Sequence, residues 1–147
     1  MFYGDQRDQT RQFFFAVWQK LQNNSPLLPL EAQIADVMHL HPEYNAFFAD
    51  PDHNSDADFS VETGQSNPFL HMGMHLALRE QLGTNRPAGI QDTFRAYCEY
   101  YEDAHVAEHN MIETLGEILW DAHRQGLAPD EQRYLSLLKQ RLPSHTV

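Results

Sequence analysis

The sequence predicts an all-α protein: a helical bundle of five or six amphipathic helices with one irregular acidic loop. Two observations carry this. Apolar residues recur with the 3.6-residue period along most of the chain, and no segment shows the strict alternation of a half-buried strand. Clusters of Pro, Gly and Asn cut the chain into helix-length pieces with short links. No internal repeat or low-complexity segment interrupts the pattern. At 147 residues the chain suits a single domain, 1–147, with one sizeable core.

The first helix is expected over residues 6–23, where Phe14, Val17, Trp18 and Leu21 follow the spacing of one buried face. "NNSPLLP" then breaks the chain. A second helix, residues 30–39, carries Leu30, Ile34 and Val37 on its apolar stripe, with His41 continuing it. Pro42 biases His41 away from helical geometry and marks the end. Residues 42–66 are the irregular acidic part, with a short turn of helix expected around "EYNAFFA". Asp50, Asp52, Asn54, Asp56 and Asp58 alternate there as in a calcium loop. Ser55 and Val61 occupy the places where such a loop needs glycine and glutamate, so a solvated loop is the better reading. Asn67 and Pro68 restart helix as N-cap and first helical residue, and that helix runs to about Gly83. After "TNRPAG" a helical pattern extends from Ile90 to Gly126. Unbroken it would measure roughly 55 Å, so a break is expected near Asp103, a good cap for the second half. Gly126 closes that helix. Pro129 opens a last one over residues 129–141, burying Tyr134, Leu137 and Leu138.

Composition narrows the function classes. Acidic residues outnumber basic ones 21 to 10, a formal charge of −11, and the basic residues never adjoin. Nucleic acid and anionic membrane surfaces demand clustered Lys and Arg, so neither is expected as a partner. The longest apolar run, "FFFAVW" at residues 13–18, is far too short to span a bilayer. No basic flank followed by an apolar segment opens the chain, so no signal peptide is expected. The one cysteine, Cys98, excludes an intrachain disulfide and fits a reducing cytoplasm. A homodimer is plausible if the rings of Phe13, Phe14 and Phe15 exceed what one chain can bury.

Nine histidines are the chemical signal. "HMGMH", residues 71–75, places His71 and His75 one turn apart in a sector shared with Leu78 and Leu82, with Arg79 and Glu80 away from its centre. Imidazoles at i and i+4 can reach one ion or two adjacent ions. "HVAEHNMIE", residues 105–113, repeats the spacing in His105–His109 and His109–Glu113. Glu108 falls inside the apolar stripe Tyr101, Ala104, Glu108, Ile112, Leu115, Leu119. A buried carboxylate without a partner costs several kcal/mol or stays protonated. No Lys or Arg occurs between Arg95 and Arg124, so a metal or a protonated histidine is the expected partner. His105 lies beside Glu108, while His109 and Glu113 lie toward the flank. In "HLHPEY", His41 faces inward and His39 outward.

The candidate metal ligands are therefore His41, His71, His75, His105, Glu108, His109 and Glu113. Imidazole with carboxylate suits a divalent zinc, iron or manganese ion, one or two in number. If the chain is an enzyme, such a metal would activate water or dioxygen, with Glu108 or Glu113 as bridge or base and the substrate unspecified. The alternative is a non-catalytic interaction or structural module, whose interior histidines hydrogen-bond to Glu108, tyrosines and backbone without metal. The i, i+4 spacing resembles that of hemerythrin-like bundles, although the clusters do not follow that family's full ligand order. No HExxH motif occurs, and "EDAH" gives the ferritin-type ExxH spacing once only. His53, His123 and His145 are expected at the surface. The methionines at 38, 72, 74 and 111 are expected to pack, and Cys98 to be a buried apolar residue.

The stretches "FYGDQRDQTRQFFFAVWQK", "PLEAQIADVMHLHPEY", "NPFLHMGMHLALREQ" and "AEHNMIETLGEILWDAHR" together resemble a family of bacterial proteins catalogued as domain of unknown function 1841. The resemblance spans most of the chain. It implies a small cytoplasmic bacterial protein and carries no activity with it.

Overall fold

The computed structural model describes residues 3–55 and 67–143. These form eight α-helices and one 3₁₀ turn: α1 (Tyr3–Gln22), α2 (Pro29–Leu40), the 3₁₀ turn Pro42–Tyr44, α3 (Asn45–Phe48), α4 (Pro51–Asn54), α5 (Pro68–Thr84), α6 (Ile90–Tyr101), α7 (Ala104–Gln125) and α8 (Glu131–Arg141). No strand occurs among the described residues. The helix count exceeds the expected five or six because α3 and α4 are single turns within the segment read as irregular. Pro42 and Pro51 open its turns, and the Asp50 carboxylate caps α4 by accepting from the His53 N–H. Residues 42–54 are thus helical turns. Residues 56–66, including Asp56 and Asp58 of the calcium-like pattern, lie outside the described residues.

The chain divides into two compact units, Met1–Gly73 and Met74–Val147, and the division falls inside α5. In the first unit α1 supplies Phe14, Phe15 and Val17, α2 supplies Ile34, Val37 and Met38, and Phe48 and Phe69 complete an aromatic core. The Phe15 ring lies 5.8 Å from Phe48 and 5.7 Å from Phe69, both edge to face, the arrangement favoured by ring quadrupoles. Phe13 is half-buried.

Leu30 was expected on the α2 stripe and is instead 53% exposed. Glu31 takes the inward place. Its carboxylate accepts from the Leu28 N–H at 2.8 Å and from Lys20 Nζ at 2.7 Å, satisfying an orphan amide at the helix start. Those two partners hold the Glu31 carboxyl below its ordinary value, the backbone bond contributing most.

In the second unit α6, α7 and α8 pack together with the C-terminal part of α5 around Leu78, Tyr97, Met111, Leu115, Ile118 and Leu138. Two buried tyrosines tie helices together: Tyr97 donates to the Leu138 carbonyl, and Tyr134 donates to the Gln81 side chain at 2.8 Å. Burial pushes the Tyr97 hydroxyl up to about 12. The break between α6 and α7 falls at Asp103, whose carboxylate accepts from the Val106 N–H at 3.0 Å. Gly126 ends α7 in the left-handed region at φ 67°. The buried face of α7 is rotated from the expected stripe: Ile118 is buried, while Leu119 is 37% exposed and Ala104 is exposed. Following 3.6 residues per turn from Glu108 through Ile112 and Leu115 reaches 118–119, and packing against α6 and α8 selects Ile118. No helix among the described residues is long and apolar enough to cross a membrane.

Candidate functional site

The histidines gather around α5, which carries one member of each of two imidazole groups. Asn67 caps the helix by accepting from the Leu70 N–H at 3.1 Å. From that start, His71 and His75 stand one turn apart on one face, as helical geometry requires.

In the first unit, His71 meets His41, the residue that ends α2. Their Nε2 atoms lie 3.2 Å apart, and the rings cross edge to face at 4.5 Å. His41 is 3% exposed and His71 half-buried. His41 Nδ1 lies 2.7 Å from the Glu43 carboxylate. A carboxylate is an acceptor, so Nδ1 carries a proton, and in the neutral ring Nε2 is the lone-pair nitrogen turned toward His71. Tyr44 stacks on the His41 ring at 5.5 Å. Burial acts to raise the Glu43 carboxyl, but the hydrogen bond from His41 and the charges of His41 and His71 hold it below its ordinary value.

In the second unit, His75 is fully buried and its Nδ1 meets the Glu108 carboxylate at 2.5 Å. By the same argument Nδ1 of His75 carries a proton, and in the neutral ring the lone pair is on Nε2. Arg79, one further turn along α5, donates Nε to the same carboxylate oxygen at 3.2 Å. Burial acts to raise the Glu108 carboxyl; the His75 hydrogen bond and the Arg79 and His75 charges outweigh it and hold it below its ordinary value. Glu108 therefore stays a carboxylate. Its cation was expected to be a metal or a histidine; Arg79 shares that role, although it was placed away from the inward sector. The long guanidinium stem lets a flanking residue reach a partner that its Cα does not face.

His105 and His109, one turn apart on α7, complete this group. The His105 ring stacks nearly parallel on His75 at 5.7 Å, and His109 tilts against His75 at 5.0 Å and against His105 at 4.4 Å. Both are half-buried, whereas Glu113 is exposed. Among the described residues, the nitrogens that could hold a metal ion belong to His41 with His71 and to His75 with His109, within 4.8 Å in each pair. His39, His53 and His123 are exposed, and His145 lies outside the described residues.

Two residues of these networks escaped the sequence reading. Glu43 follows His41 by two residues, close enough for its carboxylate to turn back onto the ring. Arg79 follows His75 by four, which is the helical same-face spacing. Both offsets are visible in the sequence once the histidine is chosen as the origin.

The donor chemistry fits a divalent transition metal. Two nitrogens at ~2.0–2.1 Å on a tetrahedral ion stand roughly 3.3–3.4 Å apart, close to the His41–His71 separation. A neutral imidazole whose distal N–H is held by a carboxylate is the usual form of a histidine ligand.

A family model for a domain of unknown function (DUF1841) matches residues 6–140, and the chain belongs to that family. No curated protein and no solved structure matches it.

Proposed function

We propose that this member of the domain-of-unknown-function 1841 family is a metal-binding helical protein, an ion being held by the imidazole pair of His41 and His71 or by that of His75 and His109. The observation that supports this most is the His41–His71 contact. Two Nε2 atoms stand 3.2 Å apart at the spacing of a coordination edge, and one of them already has its proton fixed on the other nitrogen by Glu43. His109 is the corresponding neighbour of His75. Zinc, iron and manganese all accept imidazole nitrogen. A bound divalent ion would supply Lewis acidity at any position left open. The single cysteine supports a reducing, cytoplasmic setting.

Elemental analysis of untagged protein, purified without chelators, tests the reading. Near-stoichiometric zinc, iron or manganese supports it, and the ratio separates one ion from two. Protein that is metal-free and takes up none on reconstitution refutes it.

A second reading has its own observation. His75, Glu108 and Arg79 satisfy one another as a buried hydrogen-bonded network, which needs no ion. On that reading the chain is a non-catalytic structural or interaction module, and chelators leave its stability unchanged.

A further inference from the structure

We infer that Glu43 and Glu108 are positioning residues, each for the metal-binding imidazole in its own unit, rather than ligands, so that the protein ligands are imidazole alone. The inference rests on the metal-binding reading and narrows it.

His41 and His75 are the two most buried histidines among the described residues. They are 3% and 0% exposed, and in each the Nδ1 atom faces a carboxylate, Glu43 at 2.7 Å and Glu108 at 2.5 Å. The two dyads arise independently. Glu43 sits two residues after its histidine in a 3₁₀ turn, whereas Glu108 reaches its histidine from another helix, α7. Both give the same outcome: a proton fixed on Nδ1, which in the neutral ring leaves the lone pair on Nε2.

Glu108 has a further constraint. The oxygen that His75 faces also accepts from Arg79 at 3.2 Å. A carboxylate bound by a guanidinium and an imidazole N–H is already compensated. Oε1 is thereby committed to its two donors, and among the described residues the side chains whose ligand atoms come together closely enough to hold an ion are histidines, Glu108 not among them. Glu113 is exposed on α7 and Glu43 has a side chain 58% exposed, so neither supplies an inward carboxylate ligand.

An imidazole-only donor set has a consequence for the metal. Manganese binds weakest in the divalent series and favours oxygen donors, whereas zinc and cobalt accept nitrogen readily. The protein should therefore take zinc in preference to manganese, and cobalt should report the geometry.

The test uses chelator-stripped full-length protein and zinc, with affinity read by competition against a chromophoric chelator. Glu43→Gln and Glu108→Gln should each weaken zinc binding by ~10–100-fold, yet reach wild-type stoichiometry at saturating zinc. The visible spectrum of the cobalt form should keep its band positions in both variants, because no ligand is lost. Glu99→Gln, exposed on α6, should bind as wild type. His75→Ala should lower the stoichiometry or change the cobalt bands.

Several outcomes overturn the inference alone: zinc affinity within twofold of wild type in both Gln variants, cobalt bands altered by Glu108→Gln, or manganese bound more tightly than zinc. If Glu108→Gln fails to fold, Glu43→Gln decides, since the Glu43 side chain is 58% exposed. Wild-type protein that binds neither zinc nor cobalt overturns the metal-binding reading itself, and this inference with it.

Discussion

Arg79 Nε stands 3.2 Å from Oε1 of Glu108, across from helix α5 to helix α7. The same oxygen faces His75 Nδ1. Arg79 and His75 sit four residues apart on α5, so one turn of helix presents both donors to one carboxylate. That explains how a glutamate occupies a position of α7 where packing alone would call for leucine. The charge is compensated by a cation, and the remaining hydrogen-bonding capacity is used to orient an imidazole.

Removing the carboxylate should therefore cost stability through the donors left behind. Glu108→Ala leaves the His75 N–H and the Arg79 guanidinium without that acceptor, which costs about 1–3 kcal/mol. Glu108→Gln retains an acceptor oxygen without the charge and should cost less. Urea denaturation of chelator-treated protein checks the order. Equal losses for the two variants would show that side-chain volume, rather than hydrogen bonding, matters there.

The same carboxyl makes stability depend on acid. Its folded-state value lies below its ordinary 4.5, because His75 and Arg79 outweigh the burial that acts to raise it. A group lowered on folding contributes in full above its unfolded value, and the contribution is lost as pH falls through the folded one. Wild-type stability should decline as pH drops below about 4.5, and Glu108→Gln should decline less steeply over that range. Glu31, Glu43 and Glu117 are lowered too, so the variant keeps part of the slope. Parallel curves for the two proteins would remove Glu108 from this account.

Much of this was legible in the sequence, for identifiable reasons. The cap at Asp103, the stop at Gly126 and the restart at Asn67–Pro68 depend on local backbone chemistry, and each stands where the residues call for it. Leu30 and Leu119 failed for a different reason. Each lies at the edge of an apolar stripe, where a 100° rotation per residue leaves two positions equivalent until a neighbouring helix chooses one. Glu31 and Ile118 were chosen. In the site, periodicity placed His75 and Glu108 inward, and both are buried. It could not show that Arg79 bends back to Glu108, because a guanidinium stem spans more than one helical sector. Nor could it show that His109 tilts toward His75, because a flanking position turns inward only when another helix meets it there.

The Asp103 cap makes a local prediction. Its carboxylate accepts from the Val106 N–H at 3.0 Å at the start of a 22-residue helix. Asp103→Ala should cost about 1 kcal/mol, within the usual range of 0.5–2, and Asp103→Asn should recover most of it. Thermal melts of the three proteins under one buffer decide the matter. An alanine variant as stable as wild type would mean that α7 is held by packing alone.

Metal removal offers the broadest separation between the two functional readings. An ion that binds only the folded chain stabilises it by about 4 kcal/mol when free metal exceeds Kd a thousandfold. For a chain of this size each kcal/mol moves Tm by roughly 2–4 °C. Chelator should therefore lower the melting temperature of the zinc-loaded wild type by several degrees. His75→Ala, already lacking a central ligand, should melt at one temperature with or without chelator. An undiminished shift in His75→Ala would place the ion on residues other than His75, the His41–His71 pair among them. No shift in either protein would leave His75, Glu108 and Arg79 as a structural network, since a hydrogen-bonded triad has nothing for a chelator to remove.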